Sequence, residues 1–307
     1  MKKLILFLFL SLSLKAFTQK IDWIPIEWVN YQGLEKAGIF IPVKIDNLPY
    51  KFKMQFDLGA ITTIIYSNSF RPYLEKHKDF QNKLDTTKQF TIQGEVNNMF
   101  HPVTLQLSNT FFRDIPVGLY ENFGETYPNE IVNDTETQHL IGTIAVDIIK
   151  NKVLVLDYKN DRLAICDQLP NEYKHTDFVK FDNTYGHIIL PIQINGKEKF
   201  VAFDTGASLM PLFTSKKNAL EISNGTVIDS LRLTSWEVED TYYKLQTNVP
   251  VLLGQKDLDL KNVFYETSGK MDEAFEDDEL WGIMGNALFL NSVLIVDYKE
   301  QRIGLIE

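Results

Sequence analysis

Apolar and polar positions alternate in short runs along most of the chain. GIFIPVKI at 38–45 and HIILPIQI at 187–194 put an aliphatic residue at every second place, and FTIQ, VTLQL and VFYET continue the habit. A period of two is that of a strand with one buried face. The runs are rich in Val, Ile, Thr, Tyr and Phe and are broken by Asn, Asp, Gly and Pro, the residues of turns. Helical patterning is confined to Ser215–Leu220 and to short turns after Thr143 and Asn286. The expected fold is therefore all-β, with two β-barrel-like lobes and a cleft between them.

The pattern is also written twice. GIFIPVKIDNLPYKFKMQFDLGA (38–60) reads like HIILPIQINGKEKFVAFDTGA (187–207), each a strand, a tight turn (Asn47-Leu48-Pro49; Asn195-Gly196) and a second strand ending in Asp. LIGTIAVDIIKNKVLVLDYKNDRLAI (140–165) aligns without a gap on LWGIMGNALFLNSVLIVDYKEQRIGL (280–305), so that Leu140, Gly142, Asp157, Tyr158 and Arg162 recur 140 residues later. Two matches in the same order mean duplication. The expected organisation is a lobe over 20–166, a linker over 167–177 and a second lobe over 178–307.

Residues 1–19 change the picture at one end. Lys2 and Lys3, the apolar run Leu4–Leu14 and the small or polar residues that follow read as a signal peptide, too short for a membrane span. Export to a periplasm or the medium is expected, with no span in the mature chain. Cys166 is the only cysteine, so no internal disulfide supports the fold, and it reads as a packed residue rather than a nucleophile. A net charge of −10 opposes binding to nucleic acid or anionic membranes. Five scattered histidines without a ligand motif suggest no metal, and no phosphate- or dinucleotide-binding loop suggests a cofactor.

The candidate chemistry lies in the repeated turns. One Asp-x-Gly is an ordinary turn. Two copies in duplicated halves can be brought face to face by a pseudo-twofold, and carboxyl groups of Asp57 and Asp204 a few ångströms apart would share one proton. A water between them could then be activated for hydrolysis without metal or covalent intermediate.

On these residues the chain resembles the bilobal, pepsin-like branch of the aspartic peptidases, with retroviral-type detail around the aspartates. The second half carries Asp204-Thr205-Gly206 and then Ile283-Met284-Gly285, with 285 − 204 = 81 residues between Asp and Gly. The resemblance implies an endopeptidase acting on an extended peptide or protein segment, most simply as a monomer. It implies Asp57 and Asp204 as the catalytic pair, with Gly59, Ala60, Thr205, Gly206, Ala207 and Gly285 shaping the loops. Two departures stand in the first half. Leu58 replaces the threonine whose hydroxyl, in the family, bonds the opposite loop, and Ala145 replaces the glycine of the apolar pair, 145 − 57 = 88 residues on. An inactive peptide-binding homologue is the alternative. Ala60 and Ala207 also stand where pepsin-like enzymes carry a hydroxyl, which raises the expected pKa values of the pair.

The family's flap would fall within 90–107, where Phe100 or His101 is weighed against an ordinary hairpin without a cleft role. The acidic run 272–279 reads as a solvated loop, or else as an acidic lip on the cleft. Asp157-Tyr158 and Asp297-Tyr298 read as structural turns ahead of Arg162 and Arg302. Residues 20–36 are not basic enough to resemble a pepsin-like pro-segment.

Overall fold

The computed structural model describes residues 21–184, 186–235, 238–277 and 279–307. The proposed signal segment lies outside them. Half of the chain is strand and the fold is all-β, in three sheets. No helix among the described residues is long and apolar enough to cross a membrane.

Each repeat builds most of one sheet. An eight-stranded sheet runs from Glu27–Tyr31 to His139–Ile144, and a nine-stranded sheet from Ile188–Ile194 to Gly282–Met284. The alternation read in the sequence is the alternation of burial: Ile39, Ile41, Val43 and Ile45 face the core from one strand, Ile188, Leu190, Ile192 and Ile194 from its counterpart. Asn195 and Gly196, both at positive φ, close the hairpin between Ile188–Ile194 and Lys197–Phe203 in two residues. Such a turn matches the twist of the flanking strands.

The gapless part of the repeat forms a sheet shared by both halves. Its six strands run in the order Ile24–Pro25, Arg162–Cys166, Val153–Asp157, Val293–Asp297, Arg302–Ile306, Phe178–Lys180. At its centre Val155 pairs with Ile295, its own counterpart 140 residues on, so a pseudo-twofold passes through that pair. Each Asp-Tyr turn is held in the same way, by Arg162 Nε on Asp157 Oδ2 at 2.8 Å and by Arg302 Nε on Asp297 Oδ2 at 2.9 Å. Cys166 is buried in this sheet, where burial and the charge of Asp167 push its thiol up to about 11.

The helix expected at 215–220 spans Lys216–Glu221, with the Ser215 hydroxyl accepting the Asn218 N–H as its N-cap. A ten-residue helix, Ser67–Lys76, goes unannounced because Pro72 stands inside it. The acidic run corrects a second expectation, for it is not a solvated loop. Lys270–Asp277 is helical, and Met271 and Phe275, four residues apart, turn one face onto Phe213 and Tyr242. The buried Glu266 carboxylate accepts the N–H groups of Gly269 and Met271 at 3.1 Å each, satisfying orphan donors at the helix start.

Candidate active site

Both aspartates stand where a buried strand stops. Phe52–Phe56 runs parallel to His139–Ile144, and Lys197–Phe203 runs parallel to Gly282–Met284. The same bond ends each pair: Asp57 N–H donates to Ile144 O at 2.9 Å, and Asp204 N–H to Met284 O at 3.0 Å. This is the physical content of the apolar pair in each repeat, whose backbone fixes the height at which the carboxylate emerges.

The loops after the strands meet across the pseudo-twofold. Gly59 N–H donates to Asp57 Oδ1 at 2.9 Å and to Asp204 Oδ1 at 3.0 Å, so one donor serves both carboxyl groups. Ala60 N–H adds a bond to Asp57 Oδ1 at 3.2 Å, and Gly206 N–H one to Asp204 Oδ1 at 2.6 Å. Glycine is required here by space. A Cβ at Gly59 would lie 2.5 Å from the Asp204 carboxyl carbon, and one at Gly206 would lie 2.7 Å from Asp57 Oδ2. Either methyl would force the pair apart.

Thr205 holds the two loops in register from one side only. Its buried hydroxyl accepts the Leu58 N–H at 2.9 Å and donates to Phe56 O at 2.8 Å. Leu58 is fully buried in the core and has no group to return the contact. The Ala145 departure leaves the backbone unchanged: Ala145 has φ −107° and ψ −178°, and Gly285 has φ −105° and ψ −178°. At Gly285 a Cβ would meet Ala207 O at 1.9 Å. The first-half loop reaches its next strand in 64 − 57 = 7 residues, against 213 − 204 = 9 in the second, and Ala145 is fully buried beside it.

Behind the pair lies a buried polar layer that the sequence did not announce. Asn286 Nδ2 donates to Thr205 O at 2.8 Å and to Ser208 Oγ at 2.5 Å, while its Oδ1 accepts the Tyr158 hydroxyl from the other repeat at 2.6 Å. In the first half the Thr63 hydroxyl donates to Asp147 Oδ1 at 2.6 Å and accepts the Ala145 N–H at 3.1 Å. Both clusters fix loop positions without reaching the carboxylates.

The pair forms the floor of a cleft of about 450 Å³ whose walls come from both repeats. Gln55, Tyr66 and Thr143 stand beside Asp57, and Met210, Phe213 and Ile283 beside Asp204. The hairpin expected over 90–107 exists as Leu84–Ile92 and Glu95–Leu107. It leaves neither aromatic candidate at the cleft, since Phe100 packs on Phe80 in the core and His101 faces Asp114 at 3.2 Å. An earlier hairpin, Glu27–Tyr31 with Leu34–Ile45, reaches the cleft instead and supplies Tyr31 and Phe40. Among the described residues no group of three or more His, Cys, Asp or Glu side chains could hold a metal ion.

Burial, the neighbouring charge of Asp204 and a hydrogen bond between the two carboxyl groups hold Asp57 well above the usual carboxylate range, against the downward pull of the Gly59 and Ala60 N–H groups. The pair therefore keeps a proton where a lone aspartate would lose it. A raised native pKa contributes stability that is complete below the unfolded value and lost as pH rises through the native one. The thermal midpoint of the wild type is thus expected to fall relative to Asp57→Asn as pH increases above about 4. Parallel melting curves for the two proteins across that range would show that the pair shares no proton.

Comparison with protein-family models and with curated proteins finds no match to this chain.

Proposed function

We propose that the chain is an exported aspartic endopeptidase-like hydrolase of the bilobal, pepsin-like kind, with Asp57 and Asp204 as its catalytic pair. One observation carries the reading: two carboxyl groups from duplicated loops converge on a single N–H, that of Gly59, at the floor of a cleft. Buried like charges are costly and are held together here by dedicated glycines, which a purely structural turn does not need. An extended peptide lies across the floor with its carbonyl carbon above the pair. The ionised aspartate takes a proton from a water held between the carboxyl groups, and the water oxygen bonds to the carbonyl carbon. The protonated member of the pair hydrogen-bonds and then protonates the carbonyl oxygen. Transfer of the proton taken from water to the amide nitrogen breaks the C–N bond while one hydroxyl of the tetrahedral carbon returns its proton to the other aspartate, releasing a carboxylic acid and an amine and restoring the singly protonated pair.

The inactive peptide-binding reading draws on Leu58 and Ala145; Ala145 keeps the backbone conformation of Gly285, and Thr205 by itself ties the two loops together. A diverse peptide pool, incubated with the protein from acid to neutral pH and read by mass spectrometry, tests the reading. Cleavage unaffected by a chelator, with an upper pH limit above that of an ordinary carboxylate, is the expected result. A folded wild type that cuts nothing at any pH would replace catalysis by binding.

A further inference from the structure

The pseudo-twofold that brings Asp57 to Asp204 also relates the walls on either side of them, and the walls do not match. Strand pairing fixes the equivalences: Gln55 lies opposite Thr143 in the first half, and Ala202 opposite Ile283 in the second. Each pair sits two residues before its aspartate and on the strand beside it. Where the Asp57 side lines the cleft with a carboxamide and a hydroxyl, the Asp204 side lines it at these positions with the branched alkyl group of Ile283 alone. Tyr66 strengthens the contrast, because its hydroxyl meets that of Thr143 at 2.5 Å. Its counterpart Ser215 is turned away to cap a helix.

Around Ile283 the second half closes an apolar surface from Met210, Phe213, Tyr242 and Met271. Phe40 and Phe123 give the Asp57 side an apolar rim as well. Ser208 and Tyr242 also bring hydroxyls to the second-half lining, with the Ser208 oxygen taken by Asn286, so the contrast between the sides lies at the paired positions Gln55–Thr143 and Ala202–Ile283. Gln55 Nε2 lies 3.5 Å from Asp57 Oδ2, and its carboxamide oxygen has no hydrogen-bond partner among the described residues. An apolar side chain laid there would strip that oxygen of water and give nothing back.

A peptide crossing a pseudo-twofold pair puts the residues before and after the central bond into symmetry-related sites. We infer that this cleft selects a bond flanked by unlike residues: a hydrogen-bonding side chain (Ser, Thr, Asn or Gln) against Gln55 and Thr143, and a large apolar one against Ile283 and Met210. That such a bond is cut rests on the proposed peptidase activity; the selection itself belongs to the cleft and holds for a binding protein too. Sites that satisfy a polar group discriminate strongly against analogues lacking it, so a preference of at least about tenfold over an apolar–apolar pair follows.

The test uses the full chain and an array of peptides of one length and host sequence, varying only two adjacent central residues. Binding is read with Asp204→Asn, cleavage with the wild type. Polar–apolar pairs should be bound and cut at least about tenfold better than apolar–apolar pairs of equal size. Gln55→Ala should bring that ratio towards one. Gln55→Ala combined with Thr143→Ile copies the second-half pair onto the first and should make both sides accept apolar residues. Thr143 is buried, so folding of the double variant is checked by melting; the half-exposed Gln55 carries the test alone if the double variant does not fold. Selection of two apolar residues by the wild type, an unchanged ratio in Gln55→Ala, or no peptide bound or cut would overturn the inference. Selective binding without cleavage would sink the peptidase reading and leave this one standing. Cleavage between two apolar residues would do the reverse.

Discussion

Asp57→Asn and Asp204→Asn should each lower kcat/KM for peptide cleavage by roughly 10²–10⁴-fold, the range general acid–base groups supply, without destabilising the protein. Two opposite consequences of one geometry set these expectations. A carboxamide cannot take a proton from water at one position or share a proton at the other, so either change removes the asymmetric pair that the reaction needs. Folding, in contrast, loses little. The Gly59 N–H keeps an oxygen to bond in either variant, and the repulsion between two carboxyl groups held on one donor disappears. Replacing buried interacting charges by neutral groups of the same shape is often neutral or stabilising, by about 1–4 kcal/mol. The signature to look for is lost turnover with an equal or higher melting midpoint near neutral pH, where the wild-type pair is most strained. Variants that lose activity and stability together would point to a structural role for the carboxylates. Variants that keep activity would remove Asp57 and Asp204 from the chemistry altogether.

Much of this was legible in the sequence because the relevant physics is local or repeated. Alternation with a period of two gave strands whose buried faces lie where the pattern put them, as in Ile39 to Ile45. The gapless repeat by itself says duplication only; that its two copies pair with each other, Val155 against Ile295, in one shared sheet is shown by the structure. The aspartates were visible because each ends a strand and is followed by glycine. What could not be read depends on pairing between distant segments. Thr143 faces Gln55 only through a parallel register across 88 residues, and Tyr66 joins them because the strand Ile64–Tyr66 pairs with the other side of His139–Ile144. Phe100 turned inward rather than over the cleft because its strand pairs on both sides and packs its ring on Phe80. The acidic run hid a helix because its charge dominates the composition. The clue was the spacing of Met271 and Phe275, and the Glu266 carboxylate that steadies the helix start comes from another strand.

Thr205→Val should be the most destabilising shape-preserving change at the site. The substitution keeps the volume and β-branching of threonine, so packing is held constant and only the hydroxyl is lost. That hydroxyl satisfies the Leu58 N–H and the Phe56 carbonyl, both in the buried layer beneath the pair. Leaving a buried polar group unpaired costs about 1–3 kcal/mol, so two cost about 2–6 kcal/mol, a large part of the 5–15 kcal/mol typical of a folded domain. Activity should fall further than stability implies, because a shift of about 1 Å between the loops is enough to cost about 100-fold. Thr205→Ser retains the hydroxyl and should recover most of both losses, which separates the bond from the methyl group. Leu58→Thr supplies the complementary case. It could return the missing bond, worth about 0.5–1.5 kcal/mol, but gives up a fully buried leucine worth about 1.5–3 kcal/mol. The melting midpoint should therefore drop even though the contact between the loops becomes reciprocal. On this arithmetic Leu58 contributes more through core packing than a second threonine would through its hydrogen bond, while Thr205 alone ties the two loops together. Full activity and an unchanged midpoint in Thr205→Val would show that the pair is aligned by something other than this hydroxyl.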